Sequence, residues 1–308
     1  MQRSGVVEEV GAVRALALGD VPRRGSHSTV VLVEPRFFDV EYQINPHMGG
    51  TVDAERARAQ WEQLRTAFES RVDSLQVLDP AETEKLLDAG DAPPAAERPD
   101  MVFVANHAVP TPDGEGFVLA RMATEQRAGE PAHFRAWATR QGYEVHPAPA
   151  AAFEGMGDAL WHPGRRLLWG GHGFRSERAV YDELAARLGT TIVPLELTDE
   201  AFYHLDVCLA PLSESTALVH PDAFTEAGLA KIDALFERVL EAPAGESAEG
   251  LAVNVEVVDG TAILGTDAPE TTALLEDAGY DVVVVETGEF LKAGGSVCCL
   301  SLSAGSPA

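Results

Sequence analysis

The chain has 308 residues, 45% of them apolar, with 49 acidic against 23 basic residues and a formal net charge of −26. That length and apolar content allow one large domain or two ordinary ones. The charge argues against a chain that grips nucleic acid or an anionic membrane, and no apolar run is long enough for a membrane-spanning helix. The acids are spread along the chain, which reads as a solvated acidic surface of the kind a high-salt cytoplasm selects. Steering of a cationic substrate is the weaker reading, because such salt would screen it. Three cysteines, Cys208, Cys298 and Cys299, do not make a disulfide framework and fit a reducing cytoplasm.

Residues 1–28 lack an apolar leader segment and read as a poorly ordered extension ahead of one domain over 29–303, with 304–308 as a tail. Thr29–Val33 is a buried strand stopped by Pro35, and Phe37–Met48 is an extended segment running into a loop at Asn45 and Pro46. Trp61, Leu64 and Phe68 share one helical face within 53–70. Leu75–Leu78 is a short strand, and Ala89–Pro99 is a polar loop.

From Met101 the chain repeats a plan. A strand Met101–Asn106, a turn at Asp113 and Gly114, a strand Phe117–Arg121 and a helix Pro131–Gln141 make one unit. The next has Phe153–Trp161, a turn at Pro163 and Gly164, Leu167–Gly170, a helix from Ser176 as N-cap to Leu188, and Thr191–Leu195. A third has Phe202–Ala210, Thr216–Val219 and a helix Thr225–Leu240, followed by a loop Glu241–Gly250. A fourth has Leu251–Val255, a turn at Asp259 and Gly260, Ala262–Leu264, a helix Glu270–Ala278 and Asp281–Val285. Last comes a helix end, a turn at Gly294 and Gly295, and a strand that opens with Cys298 and Cys299.

A short polar or thiol side chain holds a similar place in each unit. Asn106, Asp158, Asp206, Asn254 and Cys299 follow one another at intervals of 52, 48, 48 and 45 residues. A period of about 40–50 residues signals radial or stacked repeats. Pairing the N-terminal strands with the last strand completes a ring of ββαβ modules whose polar residues converge on an axis. The alternative is an ordinary α/β sandwich with hairpins.

Glu154-Gly-Met-Gly-Asp158, His204-Leu-Asp206 and Gly294-Gly-Ser-Val-Cys-Cys299 together resemble the guanidine-modifying superfamily of dimethylarginine dimethylaminohydrolases, arginine deiminases and amidinotransferases. The segments Asn45–Met48 and Phe103–Asn106 resemble it too, so the likeness runs from about Val30 to Leu302. The resemblance implies a five-bladed α/β propeller (pentein) with pseudo-fivefold symmetry and no cofactor or metal. It implies Cys299 as nucleophile, His204 as general acid and base, and Glu154 as the carboxylate that orients a guanidinium. Asp206 and Asn106 match guanidinium contacts, and Arg175 a binder of the substrate α-carboxylate, with Arg121 and Arg127 as further candidates for that task. Met156 and His107 depart from the family pattern and, with Met48, are expected to set the space for substituents on the guanidine.

The chemistry is coherent with those residue types. A guanidinium carbon is a poor electrophile, so attack needs a thiolate beside carboxylates that hold the planar cation through paired N–H bonds. A histidine then protonates the departing amine and activates water against the covalent adduct. Asp158 reads equally as a substrate ligand or an acid bridging turns, and Asn45 equally as a site residue or a loop former. Cys208 reads as core. The expected activity is hydrolysis of methylated or free arginine to citrulline and an amine. Arginine deiminase, arginine dihydrolase and amidino transfer are the alternatives, with a non-catalytic propeller interaction module as the reading of another class. The expected partner is a small guanidino compound; a homo-oligomer is compatible with the sequence.

Overall fold

The computed structural model describes residues 4–25, 29–88, 90–265 and 267–307. They form five small sheets, four of three strands and one of four. In each, two antiparallel strands are followed by a helix and a third strand that runs parallel to the second. The module from Met101 has strands Ala108–Pro110, Gly116–Leu119 and Glu144–His146 with helix Glu130–Gln141. The next has Ala159–Trp161, Leu167–His172 and Thr191–Glu196 with helix Val180–Leu188. Then come Leu209–Pro211, Thr216–Val219 and Arg238–Glu241 with helix Glu226–Leu235. Glu256–Val258, Thr261–Leu264 and Asp281–Val284 follow with helix Pro269–Asp277. The remaining sheet joins the two ends of the chain: Ser301–Ala304 lies antiparallel to Thr29–Val33, which runs parallel to Ser74–Leu78 across helix Ala54–Glu69.

The helices bury the faces their spacing predicts. Asp53 caps Ala54–Glu69 by accepting the amides of Glu55 and Arg56, and Trp61, Leu64 and Phe68 are buried along it. Each such side chain contributes about 1.5–3 kcal/mol of burial. Thr29–Val33 is buried along its whole length, as its unbroken apolar run requires.

Several expected elements take other forms. Met101–Asn106 is not a strand but two 3₁₀ turns, Pro99–Val102 and Val104–His107. Leu251–Val255 is a turn, and the strand expected from the cysteine pair begins only at Ser301. In all three an apolar run is buried, which periodicity alone cannot assign to a strand. The helix expected to reach Leu240 stops at Leu235, where Phe236 turns extended and leads into strand Arg238–Glu241. The loop Glu241–Gly250 holds a short helix, Ala244–Gly250, whose Glu246 carboxylate accepts the amides of Glu270 and Thr271. The described part of the N-terminal extension, residues 4–25, is also built into the fold. Gly5–Val6 adds a parallel strand beside Thr191–Glu196, Val13 of helix Val10–Arg14 is fully buried, and Glu8 pairs with Arg178. The tail is shorter than expected, because Ala304 belongs to the last strand.

Candidate active site

Each module enters its first strand through a tight turn, and the five turns touch in a closed circuit. The amide of Ala105 donates to the Cys299 carbonyl at 3.3 Å. Gly155 packs so closely on the Ala105–Ala108 turn that a Cβ there would lie 2.6 Å from the Ala105 oxygen, and its φ of +56° is one glycine tolerates. A Cβ on Gly157 would lie 2.3 Å from Asn106 Nδ2. These two contacts explain the glycines of the Glu154–Asp158 motif. Asp158 Oδ1 then accepts the Leu205 amide at 3.1 Å, Asn254 Nδ2 donates to the Asp206 carbonyl at 2.9 Å, and Asn254 Oδ1 accepts the amides of Cys298 and Cys299 at 2.9 and 3.3 Å.

The circuit gathers the residues singled out by the sequence. Cys299 Sγ donates to Asp206 Oδ2 at 3.1 Å and receives Asn254 Nδ2 at 3.3 Å. His204 Nε2 meets Glu154 Oε2 at 2.8 Å. Glu154 Oε1 accepts the Ala123 amide at 2.9 Å, and Arg175 Nη1 donates to Oε2 at 3.1 Å. Cys299, His204 and Glu154 are 3%, 1% and 0% exposed, so all three lie away from solvent. The Arg175 guanidinium lies 4.9 Å from the Tyr203 ring centroid and donates to the Ile44 carbonyl at 2.7 Å.

Burial governs the charges. It pushes the Asp206 carboxyl up to about 7, against the hydrogen bonds of Cys299 and Asn254. Burial and the Asp206 charge push the Cys299 thiol well above its ordinary value. Glu154 goes the other way: burial would raise it, but the His204 hydrogen bond and the charges of His204, Arg175 and Arg127 hold it below the usual carboxylate range. Burial thus favours the protonated Cys299 thiol and makes Asp206 more basic, while its partners favour the ionised Glu154.

Other candidates are placed differently. Asn106 lies in the site, but its Oδ1 is taken by Arg127 Nη1 at 2.8 Å, while its buried Nδ2 has no hydrogen-bond partner. Arg127 is committed to Glu130, with Nε and Nη2 contacts of 3.0 and 2.6 Å, so it braces Asn106 and is not a free cation. Arg121 is exposed, its side chain donating to the Pro149 carbonyl at 2.6 Å. Asp158 accepts the Ser176 and Leu205 amides, which is the bridging role. Asn45 shapes its loop through the His47 amide and the Ala293 carbonyl at 2.9 and 3.1 Å.

His107 turns toward Glu130, at 3.2 Å, and Met156 lines a separate cavity with Cys298, Trp161 and Glu256. Ser176 is not the helix N-cap, since the helix starts at Val180; its hydroxyl accepts the Glu154 amide at 2.9 Å. Asn254 and Tyr203 were not among the expected site residues, although Asn254 stands in the repeat of inward polar positions. Among the described residues no cluster of histidine, cysteine and acid could hold a metal ion, and no helix is long and apolar enough to cross a membrane.

No family model matches the chain. It is 36% identical over 295 residues to an N(G),N(G)-dimethylarginine dimethylaminohydrolase of Mycobacterium tuberculosis, covering 94% of this chain and 90% of that protein. The chain belongs to the guanidine-modifying superfamily. It is also 35% identical over 291 residues to the bifunctional arginine dihydrolase/ornithine cyclodeaminase ArgZ of Synechocystis, covering 90% of this chain but only 38% of that protein. The N-terminal domain of ArgZ superposes with a TM-score of 0.82 at 33% identity, over 91% of this chain and 98% of that one. That structure is a cysteine-to-serine variant with substrate bound, and another is an asparagine-to-serine variant covalently bound to a reaction intermediate. The two substituted positions lie 193 residues apart in ArgZ. A dimethylarginine dimethylaminohydrolase of Pseudomonas aeruginosa, 22% identical with a TM-score of 0.72 over 91% of this chain and 100% of that one, shares the pentein fold.

Proposed function

We propose that the protein hydrolyses a guanidino C–N bond of free or N-methylated arginine, with Cys299 as nucleophile. The carrying observation is the contact between Cys299 Sγ and Asp206 Oδ2 at 3.1 Å, together with the pairing of His204, two residues before Asp206, to Glu154 at 2.8 Å. A guanidinium bound between Asp206 and Glu154 brings positive charge to the thiol, which favours thiolate. Asp206, raised by burial to about 7, is a base already in hydrogen-bond contact with the Sγ proton. Sγ attacks the guanidino carbon, and His204, held by Glu154, protonates the departing amine. The covalent thiouronium is then attacked by water, which gives up its proton to His204. Collapse returns the thiol and leaves citrulline. The five modules, in this reading, form a pseudo-fivefold propeller whose axis carries the site, and the free cysteines suit a reducing cytoplasm.

One observation favours a second reading, arginine dihydrolase. Cys299 and Asn106 lie 193 residues apart, the separation of the two substituted positions in ArgZ. With Oδ1 engaged by Arg127, Asn106 offers an N–H donor to the site. A donor suits an oxygen on the reacting carbon, as a ureido group or its tetrahedral adduct would carry. Arginine and two waters would then give ornithine, carbon dioxide and two ammonia.

The test is product analysis from arginine and from asymmetric dimethylarginine in high potassium chloride. Citrulline with dimethylamine from the methylated substrate alone supports the dimethylargininase. Citrulline with ammonia from arginine supports a deiminase, and ornithine supports the dihydrolase. No turnover of either substrate refutes the proposal and moves the search to amidino transfer or a binding role.

A further inference from the structure

Tyr203 touches the cysteine turn and the histidine at once. It stands immediately before His204, between the 3₁₀ turns Glu200–Phe202 and Leu205–Val207, and is buried. Its hydroxyl donates to the Gly294 carbonyl at 2.7 Å, 91 residues away. Its ring centroid lies 4.7 Å from that of His204. A ring contact of that kind orients as well as packs.

Gly294 begins the stretch that shapes the nucleophile's turn. Its φ is +85°, and a Cβ there would lie 2.7 Å from Asn45 Oδ1, so its peptide is hemmed in by Asn45 and held by Tyr203. Gly295 packs against the Phe103 ring, where a Cβ would lie 2.3 Å away, and the Ser296 hydroxyl meets the Thr287 hydroxyl at 2.9 Å. The Ser296 carbonyl accepts the Leu300 amide at 3.0 Å, which closes the turn that carries Cys299. Burial and the Asp206 charge raise the Cys299 thiol, and a backbone hydrogen bond from Ser296 opposes them. Burial and the Cys299 charge push the Tyr203 hydroxyl itself well above its ordinary value, so it stays a donor.

We propose that Tyr203 is a positioning residue that locks the nucleophile's turn to the acid–base histidine: its hydroxyl sets the Gly294–Ser296 backbone against Cys299, and its ring sets the plane of His204. The roles of Cys299 and His204 rest on the reading of the site as a guanidino hydrolase. The two groups come from turns 95 residues apart, and a misplacement of about 1 Å between reacting groups costs about 100-fold in rate. Tyr203 spans that gap with one side chain. Glu154 fixes His204 at Nε2, at 2.8 Å, and the tyrosine ring fixes it from the side.

The clasp differs in a measurable way from packing or general stability. A tyrosine that only filled space would tolerate phenylalanine without consequence. One that only stabilised the turn would, on losing its hydroxyl, loosen the turn and expose the thiol, so alkylation would speed up. The clasp requires alkylation to slow, because the Ser296 amide drifts from Sγ and less of the thiol is ionised.

The experiment compares Tyr203→Phe and Tyr203→Leu with the parent, each also in a Cys298→Ser background for alkylation by iodoacetamide at pH 8. Tyr203→Phe should alkylate Cys299 about 3–10-fold more slowly, the worth of one hydrogen bond. Its kcat on arginine or asymmetric dimethylarginine should fall about 10-fold with KM within about 2-fold, because the substrate's own contacts are untouched. Decay of the covalent adduct, followed by quenching and mass spectrometry, should be slowed in Tyr203→Leu and not in Tyr203→Phe, which keeps the ring beside His204. Alkylation of Tyr203→Phe at the parent rate or faster overturns the proposal, whether or not the protein turns over a substrate, and this arm decides even where Tyr203→Leu fails to fold. Equal adduct decay in the two variants overturns the link to His204. Slower alkylation without turnover of either substrate by the wild-type protein keeps the clasp on Cys299 and refutes the hydrolase reading.

Discussion

Replacing Asn254 by alanine should damage both the fold and the reactivity of Cys299, because one amide serves four groups. Its Oδ1 accepts the Cys298 and Cys299 amides at 2.9 and 3.3 Å, and its Nδ2 donates to the Asp206 carbonyl and to Cys299 Sγ at 2.9 and 3.3 Å. Alanine reaches none of them. The two amides are left buried without acceptors, at about 1–3 kcal/mol each, so the expected loss is about 2–6 kcal/mol. A domain with about 5–15 kcal/mol of stability survives most of that range, though weakened. The loss of the donor to Sγ also removes one of the few contacts that favour thiolate, so the thiol moves further above its already raised value. Urea unfolding at neutral pH measures the first effect. The rate of Cys299 alkylation as a function of pH measures the second, with a Cys298→Ser background isolating that thiol. An unfolding free energy within about 0.5 kcal/mol of wild type, the ordinary range for a surface substitution, would refute the account of Asn254 as the clasp of the cysteine turn.

Cys299→Ser should abolish turnover while Cys298→Ser retains most of it, since Cys298 faces the cavity with Glu256 and Met156; the opposite result in a product assay would misplace the nucleophile. Glu154→Gln should lower kcat/KM by at least about 100-fold and weaken arginine binding, because it strips the counter-charge from His204 and the bound cation alike; unchanged affinity would remove Glu154 from cation binding. Asp206→Asn should be more stable than wild type at pH 8 but not at pH 4. Asp206 titrates at about 7 in the folded state and near 3.9 unfolded, so the folded protein holds the extra proton and loses up to about 4 kcal/mol as pH rises through that window; a difference in unfolding free energy that does not change with pH would contradict this. Raising potassium chloride from low to molar concentration should raise the melting temperature, since a formal charge of −26 repels itself until screened; a flat response would mean the acids are already balanced locally.

The fold was legible wherever side-chain spacing carried direction. Trp61, Leu64 and Phe68 mark a helix by position alone, and the intervals between Asn106, Asp158, Asp206, Asn254 and Cys299 mark the modules by spacing alone. What failed was the local shape around those marked residues. Met101–Val104, Leu251–Val253 and Val297–Leu300 are short apolar runs buried on several sides, so they carry no alternation to separate strand from turn. The turns are set by tertiary demands that lie far off in sequence. Gly155 must clear the Ala105 carbonyl, and Asn254 must reach two amides 44 and 45 residues ahead.

The same limit explains which site residues were found. Cys299, His204 and Glu154 stand out by type and company, but chemistry alone could not say which polar neighbours serve the substrate and which hold the first three in place. Asp158, Arg127 and Asn45 look like ligands in the sequence and are braces in the structure, each with its polar atoms committed to the protein. Commitment is the useful criterion. A buried group whose hydrogen-bonding capacity is filled by the chain has little left for a substrate. Asn106 Nδ2 and Asp206 Oδ1 have no protein partner, and leaving such atoms unpaired costs stability. Both lie within the circuit of turns around Cys299. A ligand that brings an acceptor to Asn106 and a donor to Asp206 would satisfy both atoms. A guanidino carbon under attack by water, bearing N–H groups and a new oxygen, presents that combination.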